Sequence, residues 1–84
     1  MRDLGNKVAA QGLWREAIFR WQKATEIDPT YAAAHNDLAV AYEHEGELDK
    51  ARRAYERALE IEPNNVQIRQ NYELFKEINE RTKA

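Results

Sequence analysis

His35 and His44 are the two imidazoles of this chain, and metal binding or acid–base chemistry would begin with them. They stand nine residues apart. At about 100° per residue, that spacing is half a turn out of phase on one helix, so the two rings cannot share a metal ion there. His44, between Glu43 and Glu45, reads as an exposed helix-end side chain suited to the negative end of the helix dipole. Nucleophilic chemistry has no carrier. The chain contains no cysteine and no serine, no GxSxG turn and no glycine-rich phosphate loop. Its 15 Asp and Glu are interleaved with 13 Lys and Arg, the pattern of ordinary exposed helix positions. No catalytic residue, metal or cofactor is expected.

Two other groupings invite a functional reading. Lys50, Arg53 and Arg57 form a basic stripe with Arg52 beside it, and a nucleic-acid reader would add exposed aromatic rings to such a stripe. Asp49 stands four residues before Arg53, however, and Arg52 four before Glu56, so a solvated, ion-paired outer face is expected. Trp14, Trp21 and Tyr55 would make a stacking platform if exposed. They alternate with alanine at helical spacing, which places them in a core instead.

The elements that position these residues follow from composition and period. The chain of 84 residues is enough for one small domain, and 43% apolar with 33% charged residues suits a soluble, helix-rich fold. A formal net charge of −2 argues against nucleic acid as a partner. No apolar run approaches the ~20 residues of a membrane span, so no membrane role is expected. The start "MRDLGNKV" is too polar for a signal peptide. With no cysteine the compartment stays open, the cytoplasm being favoured.

The chain repeats itself with a period of 34 residues. Asp3, Leu4, Gly12, Ala17, Ala24, Glu26, Ile27 and Pro29 fall on Asp37, Leu38, Gly46, Ala51, Ala58, Glu60, Ile61 and Pro63. Trp14 falls on Leu48 and Trp21 on Tyr55. Leu48, Ala51, Tyr55 and Ala58 step by three, four and three, which lines one helical face, and Trp14, Ala17, Trp21 and Ala24 repeat it. Gly12 and Gly46 are placed to end helices in a left-handed cap. Pro29 and Pro63 end the second helix of each pair, with Asp28 and Glu62 at the boundary. Thr30 and Asn64 can cap the helices that follow, whereas Glu47 is not a preferred capping residue. Tyr31 is placed to staple against Ile27. The pattern predicts helices near 2–11, 14–27, 31–45, 48–61 and 65–81, five in all, and no sheet.

These residues resemble the tetratricopeptide repeat. The second unit supplies Leu38, Ala39, Tyr42, Gly46, Leu48, Ala51, Tyr55, Ala58 and Pro63 at the family's positions. The first supplies Leu4, Gly5, Val8, Gly12, Trp14, Ala17, Trp21, Ala24 and Pro29, departing at Val8, where an aromatic is usual. The resemblance covers about residues 1–65. It implies an all-α antiparallel helix-pair array, one domain over 1–84: repeat one at 1–30, repeat two at 31–64 and a closing helix at 65–84. In the closing helix Ile68, Tyr72 and Phe75 continue the packing face.

The resemblance also implies a concave groove that binds a peptide or helix of a partner protein. By analogy its residues are Arg2, Asn6, Ala33, Asn36, Asp37, Val40, Glu43, His44, Gln67, Gln70, Asn71 and Leu74, with Ala9 and Ala10 in the first unit. Arg2 and Asn6 are similar in type to the carboxylate clamp of co-chaperones that grip the C-terminus of heat-shock chaperones. Asp37, Gln67 and Asn71 depart from that clamp, and Asp37 would meet a carboxylate as a like charge. Phe19, on a normally outward face, and Leu74 with Ile78, a second stripe on the closing helix, are candidates for self-association into a homo-oligomer.

Overall fold

The computed structural model describes residues 2–79, and the side chains of residues 12–79. Four helices follow one another as neighbours joined by short turns: α1 (Arg2–Ile27), α2 (Ala32–His44), α3 (Leu48–Ile61) and α4 (Val66–Asn79). No strand occurs among the described residues.

The core is built on small residues. On α2, Ala32, Ala34, Leu38, Ala39, Ala41 and Tyr42 are buried. Leu38, Ala39 and Tyr42 share one cluster with Ala51, Ala54 and Tyr55 of α3 and Phe75 of α4. Ala32, Ala58 and Ile68 form a second cluster. Ala51 and Ala58 are both 0% exposed. A methyl side chain at these two points lets helix backbones approach, and the rings fill the spaces between. The Tyr55 ring lies 5.4 Å from Phe75 and 5.7 Å from Tyr72, centroid to centroid, within the range of favourable aromatic pairing.

One expectation is overturned. The predicted helices at 2–11 and 14–27 are a single helix of 26 residues, so the described residues form four helices, not five. The two aligned glycines behave differently. Gly46 takes φ +78°, and its N–H donates to the Glu43 carbonyl while the Glu47 N–H donates to the Tyr42 carbonyl, at 3.1 and 2.9 Å. That pair of bonds is the Schellman closure, which satisfies the last carbonyls of α2. Gly12 stays helical inside α1. The difference lies in what a break would gain. Breaking a helix gives up backbone bonds, and only burial of the folded-back segment compensates. In the second unit Tyr42 supplies a large buried ring for that purpose. The first unit has Val8 at the corresponding position, with far less surface to bury.

The unbroken α1 leaves its inner seam partly open. Ala17 and Ala24, the counterparts of Ala51 and Ala58, are only half-buried, and Leu13 is 65% exposed. Of the three rings expected in the core, Tyr55 alone is fully buried. Trp21 is half-buried against the first cluster, and Trp14 is half-buried and stacked on His44.

Local details also differ. Thr30 does not cap α2; its N–H and hydroxyl both donate to the Asp28 carboxylate, at 3.1 and 2.8 Å. Tyr31 precedes α2 without a side-chain cap, and both Tyr31 and Ile27 are exposed, so no staple forms. Asn65 rather than Asn64 caps α4, its Oδ1 accepting from the Ile68 N–H at 3.1 Å. Asp49 pairs with Arg52 at 3.4 Å rather than with Arg53.

Candidate functional site

Three amide side chains join α4 to α2. The Gln67 Nε2 donates to Asn71 Oδ1 at 3.2 Å, and Asn71 Nδ2 donates to Asn36 Oδ1 at 3.2 Å. Asn36 and Asn71 are half-buried, which strengthens a bond between them relative to one in open water. Asp37 adjoins them. Burial holds its carboxyl above the ordinary carboxylate value, and a hydrogen bond from Asn36 offsets part of that shift. Around this group Ala33 and Gln70 are exposed and Val40 is half-buried.

The other groove residues expected on α2 are engaged. The Tyr55 hydroxyl donates to Glu43 Oε1 at 3.1 Å. Burial and the Glu43 charge, together with that bond, push the Tyr55 phenol above its ordinary value. The His44 ring stacks on Trp14 with centroids 4.2 Å apart and 7° between planes, which ties the end of α2 to α1. Leu74 and Ile78 on α4 are each 56% exposed, and Phe19 on α1 is 61% exposed with the Lys23 ammonium 5.4 Å from its ring centre. The side chains of Arg2, Asn6, Ala9 and Ala10 lie outside the described ones. Their backbone belongs to the N-terminal part of α1, upstream of Trp14.

The structure therefore brings Asn36, Asp37, Gln67 and Asn71 together, draws Glu43 and His44 into contacts with α3 and α1, and leaves Phe19 apart from Leu74 and Ile78 on different helices. A feature that sequence reasoning missed lies on the other side of α2. There Gln22 Nε2 donates to the Tyr42 hydroxyl at 2.7 Å. The 34-residue register held a hint: Glu56, the counterpart of Gln22, accepts from the Tyr72 hydroxyl at 3.0 Å. In both places a polar residue of one helix reaches a tyrosine of the helix that follows.

Among the described residues no group of three or more potential metal ligands is assembled, and no helix is long and apolar enough to cross a membrane.

Comparison with known proteins adds the following. The tetratricopeptide repeat pattern matches residues 32–65, and a second pattern described as a TPR repeat matches residues 5–46. The chain is 38% identical over 60 residues to the mouse protein O-mannosyl-transferase TMTC4, covering 71% of this chain and 8% of that protein. It is 36% identical over 70 residues to the type IV pilus assembly protein PilF of Pseudomonas aeruginosa, covering 83% of this chain and 28% of that one. It is 37% identical over 59 residues to the STIP1 homolog of Dictyostelium discoideum, covering 70% of this chain and 10% of that one. The matched stretch is thus a small part of each of these longer relatives.

Proposed function

Because the chain belongs to the tetratricopeptide repeat family, we propose that it is a non-catalytic scaffold that holds a peptide or helix of a partner protein. Repeats of this family generally mediate protein–protein interaction, and the finer reading is where the partner sits. The Gln67–Asn71–Asn36 relay supports the face shared by α2 and α4. Amides held by one another are already ordered before a partner arrives, so binding costs less side-chain entropy. They can donate to and accept from a peptide backbone whatever its side chains, while Val40 and Leu74 offer apolar contact. Asp37 and Glu43 make this face acidic, which favours a neutral or cationic segment over a C-terminal carboxylate.

A peptide selected from a random display library against the chain, then titrated by calorimetry, tests this reading. The double variant Asn36→Ala with Val40→Ala should weaken binding by about tenfold, about 1.4 kcal/mol. Unchanged affinity in that variant would remove the proposed face from consideration.

The exposure of Leu74 and Ile78, four residues apart on α4, favours a second reading in which copies associate through this end. Thermal stability would then rise with protein concentration. A melting curve unmoved by wide dilution, with a monomer mass in solution, would eliminate it.

A further inference from the structure

The face of α2 turned away from the amide relay bears a second concavity, used by neither reading above. Residues two apart on a helix point about 200° apart, so His35 and Tyr42 lie opposite Ala33 and Val40. They floor a shallow, open cleft of about 410 Å³ lined also by Gln22 of α1 and by Lys50, Arg53 and Arg57 of α3. Among the described residues no carboxylate lines it. Lys50 and Arg57 make open pairs one turn along their own helix, with Glu47 at 3.3 Å and Glu60 at 3.4 Å, and the Lys50 ammonium also lies 5.8 Å from the centre of the Tyr42 ring. Arg53 is exposed and meets no carboxylate among the described residues.

The floor supplies an independent sign of a ligand. Tyr42 is 9% exposed. Its hydroxyl accepts from Gln22 Nε2 at 2.7 Å, and its own proton finds no acceptor among the described residues. A hydroxyl with an unused donor, lining the same depression as three cations, is a site for an anionic oxygen. The spacing narrows the class. Arg53 and Arg57 are one turn apart, about 6 Å along α3. Alternate side chains of an extended peptide repeat at about 6.6–6.8 Å. A nucleic-acid strand fits less well. The ring in the cleft is buried rather than presented for stacking.

We propose that this cleft docks an acidic, extended segment of a partner protein. Alternate carboxylates of the segment reach Arg53 and Arg57, and another oxygen accepts from the Tyr42 hydroxyl beside Lys50.

A fluorescent peptide of alternating glutamate and alanine is the probe, with an alternating lysine–alanine peptide and a short single-stranded DNA as comparisons, all read by anisotropy on the whole chain. The acidic peptide should bind, and binding should weaken as salt is raised. Arg53→Glu and Arg57→Glu, both at exposed positions, should each weaken it by about tenfold or more while leaving the helical circular dichroism unchanged. Tyr42→Phe, which keeps the ring, should weaken it by a smaller factor. The proposal is overturned if the acidic peptide fails to bind, if the lysine peptide binds equally well, if both charge reversals leave affinity intact, or if DNA binds more tightly than the peptide.

Discussion

The side-chain amide of Asn71 on α4 donates to the side-chain oxygen of Asn36 on α2, across 3.2 Å and 35 residues of sequence. This contact ties the last described helix directly to the central one, so the shape of the proposed binding face depends on it. A double-mutant cycle of Asn36→Ala and Asn71→Ala, measured by urea denaturation, should give a coupling of about 0.5–1.5 kcal/mol. Simple additivity, within about 0.3 kcal/mol, would mean that the bond contributes nothing to stability.

The two aligned glycines should respond to alanine with opposite signs. Gly46 has φ +78°, where a Cβ is strained, so Gly46→Ala should lower stability by about 1–2 kcal/mol. Gly12 is helical, and a Cβ there would meet nothing within 4 Å, so Gly12→Ala should raise stability by about 0.5–1 kcal/mol. Loss of stability in both variants would contradict a continuous α1.

Ala24 and Ala58 hold the same place in the repeat but not the same surroundings. Ala58 is fully enclosed, so Ala58→Leu should overpack the seam and cost about 1–3 kcal/mol. Ala24 is half-open, and Ala24→Leu should cost less than about 1 kcal/mol because the added atoms can turn to solvent. Paired thermal melts decide the matter, and equal losses would show that the two seams are equally closed.

Asp37 should make stability depend on pH in an unusual direction. Its folded-state carboxyl is held above the ordinary 3.8, chiefly by burial. The folded chain therefore keeps this proton at pH values where the unfolded chain has released it. The stabilisation from the protonated form is complete below the unfolded value and is lost as pH rises through the folded one. Asp37→Asn should consequently gain in melting temperature relative to the parent chain on going from acid to neutral pH. A difference that stays constant across that range, or shrinks, would show that the fold does not raise the Asp37 carboxyl.

Much of the helical array was legible in the chain because its causes are local. Pro29 and Pro63 end α1 and α3 where the ring and the missing N–H forbid continuation, and Asp28 and Glu62 stand outside the helices as the steric rule requires. The spacing of Ala51, Tyr55 and Ala58 marked the face of α3 that is buried. Gly46 marked the one turn among the described residues that takes a left-handed residue. The candidate site was less legible. Asn36, Gln67 and Asn71 were named separately by analogy, but their linkage as a relay depends on how far α4 tilts toward α2. The Gln22–Tyr42 bond and the cleft beneath Lys50, Arg53 and Arg57 left almost no trace in a pattern that suggested only a solvated face.

The sequence by itself determined a helical repeat of period 34, the alanine-and-ring seam of its second unit and the ends of three helices. These are matters of side-chain size, backbone restriction and residue spacing, which act within a turn or two of the chain. Tertiary structure alone decided that α1 continues through Gly12, that Trp14 stacks on His44, and that the Tyr42 hydroxyl accepts from Gln22 in a depression lined by Lys50, Arg53 and Arg57. A glycine permits either a helix or a break. Which one forms depends on whether the surface buried by folding back exceeds the backbone bonds given up, and that balance exists only once the other helices are in place.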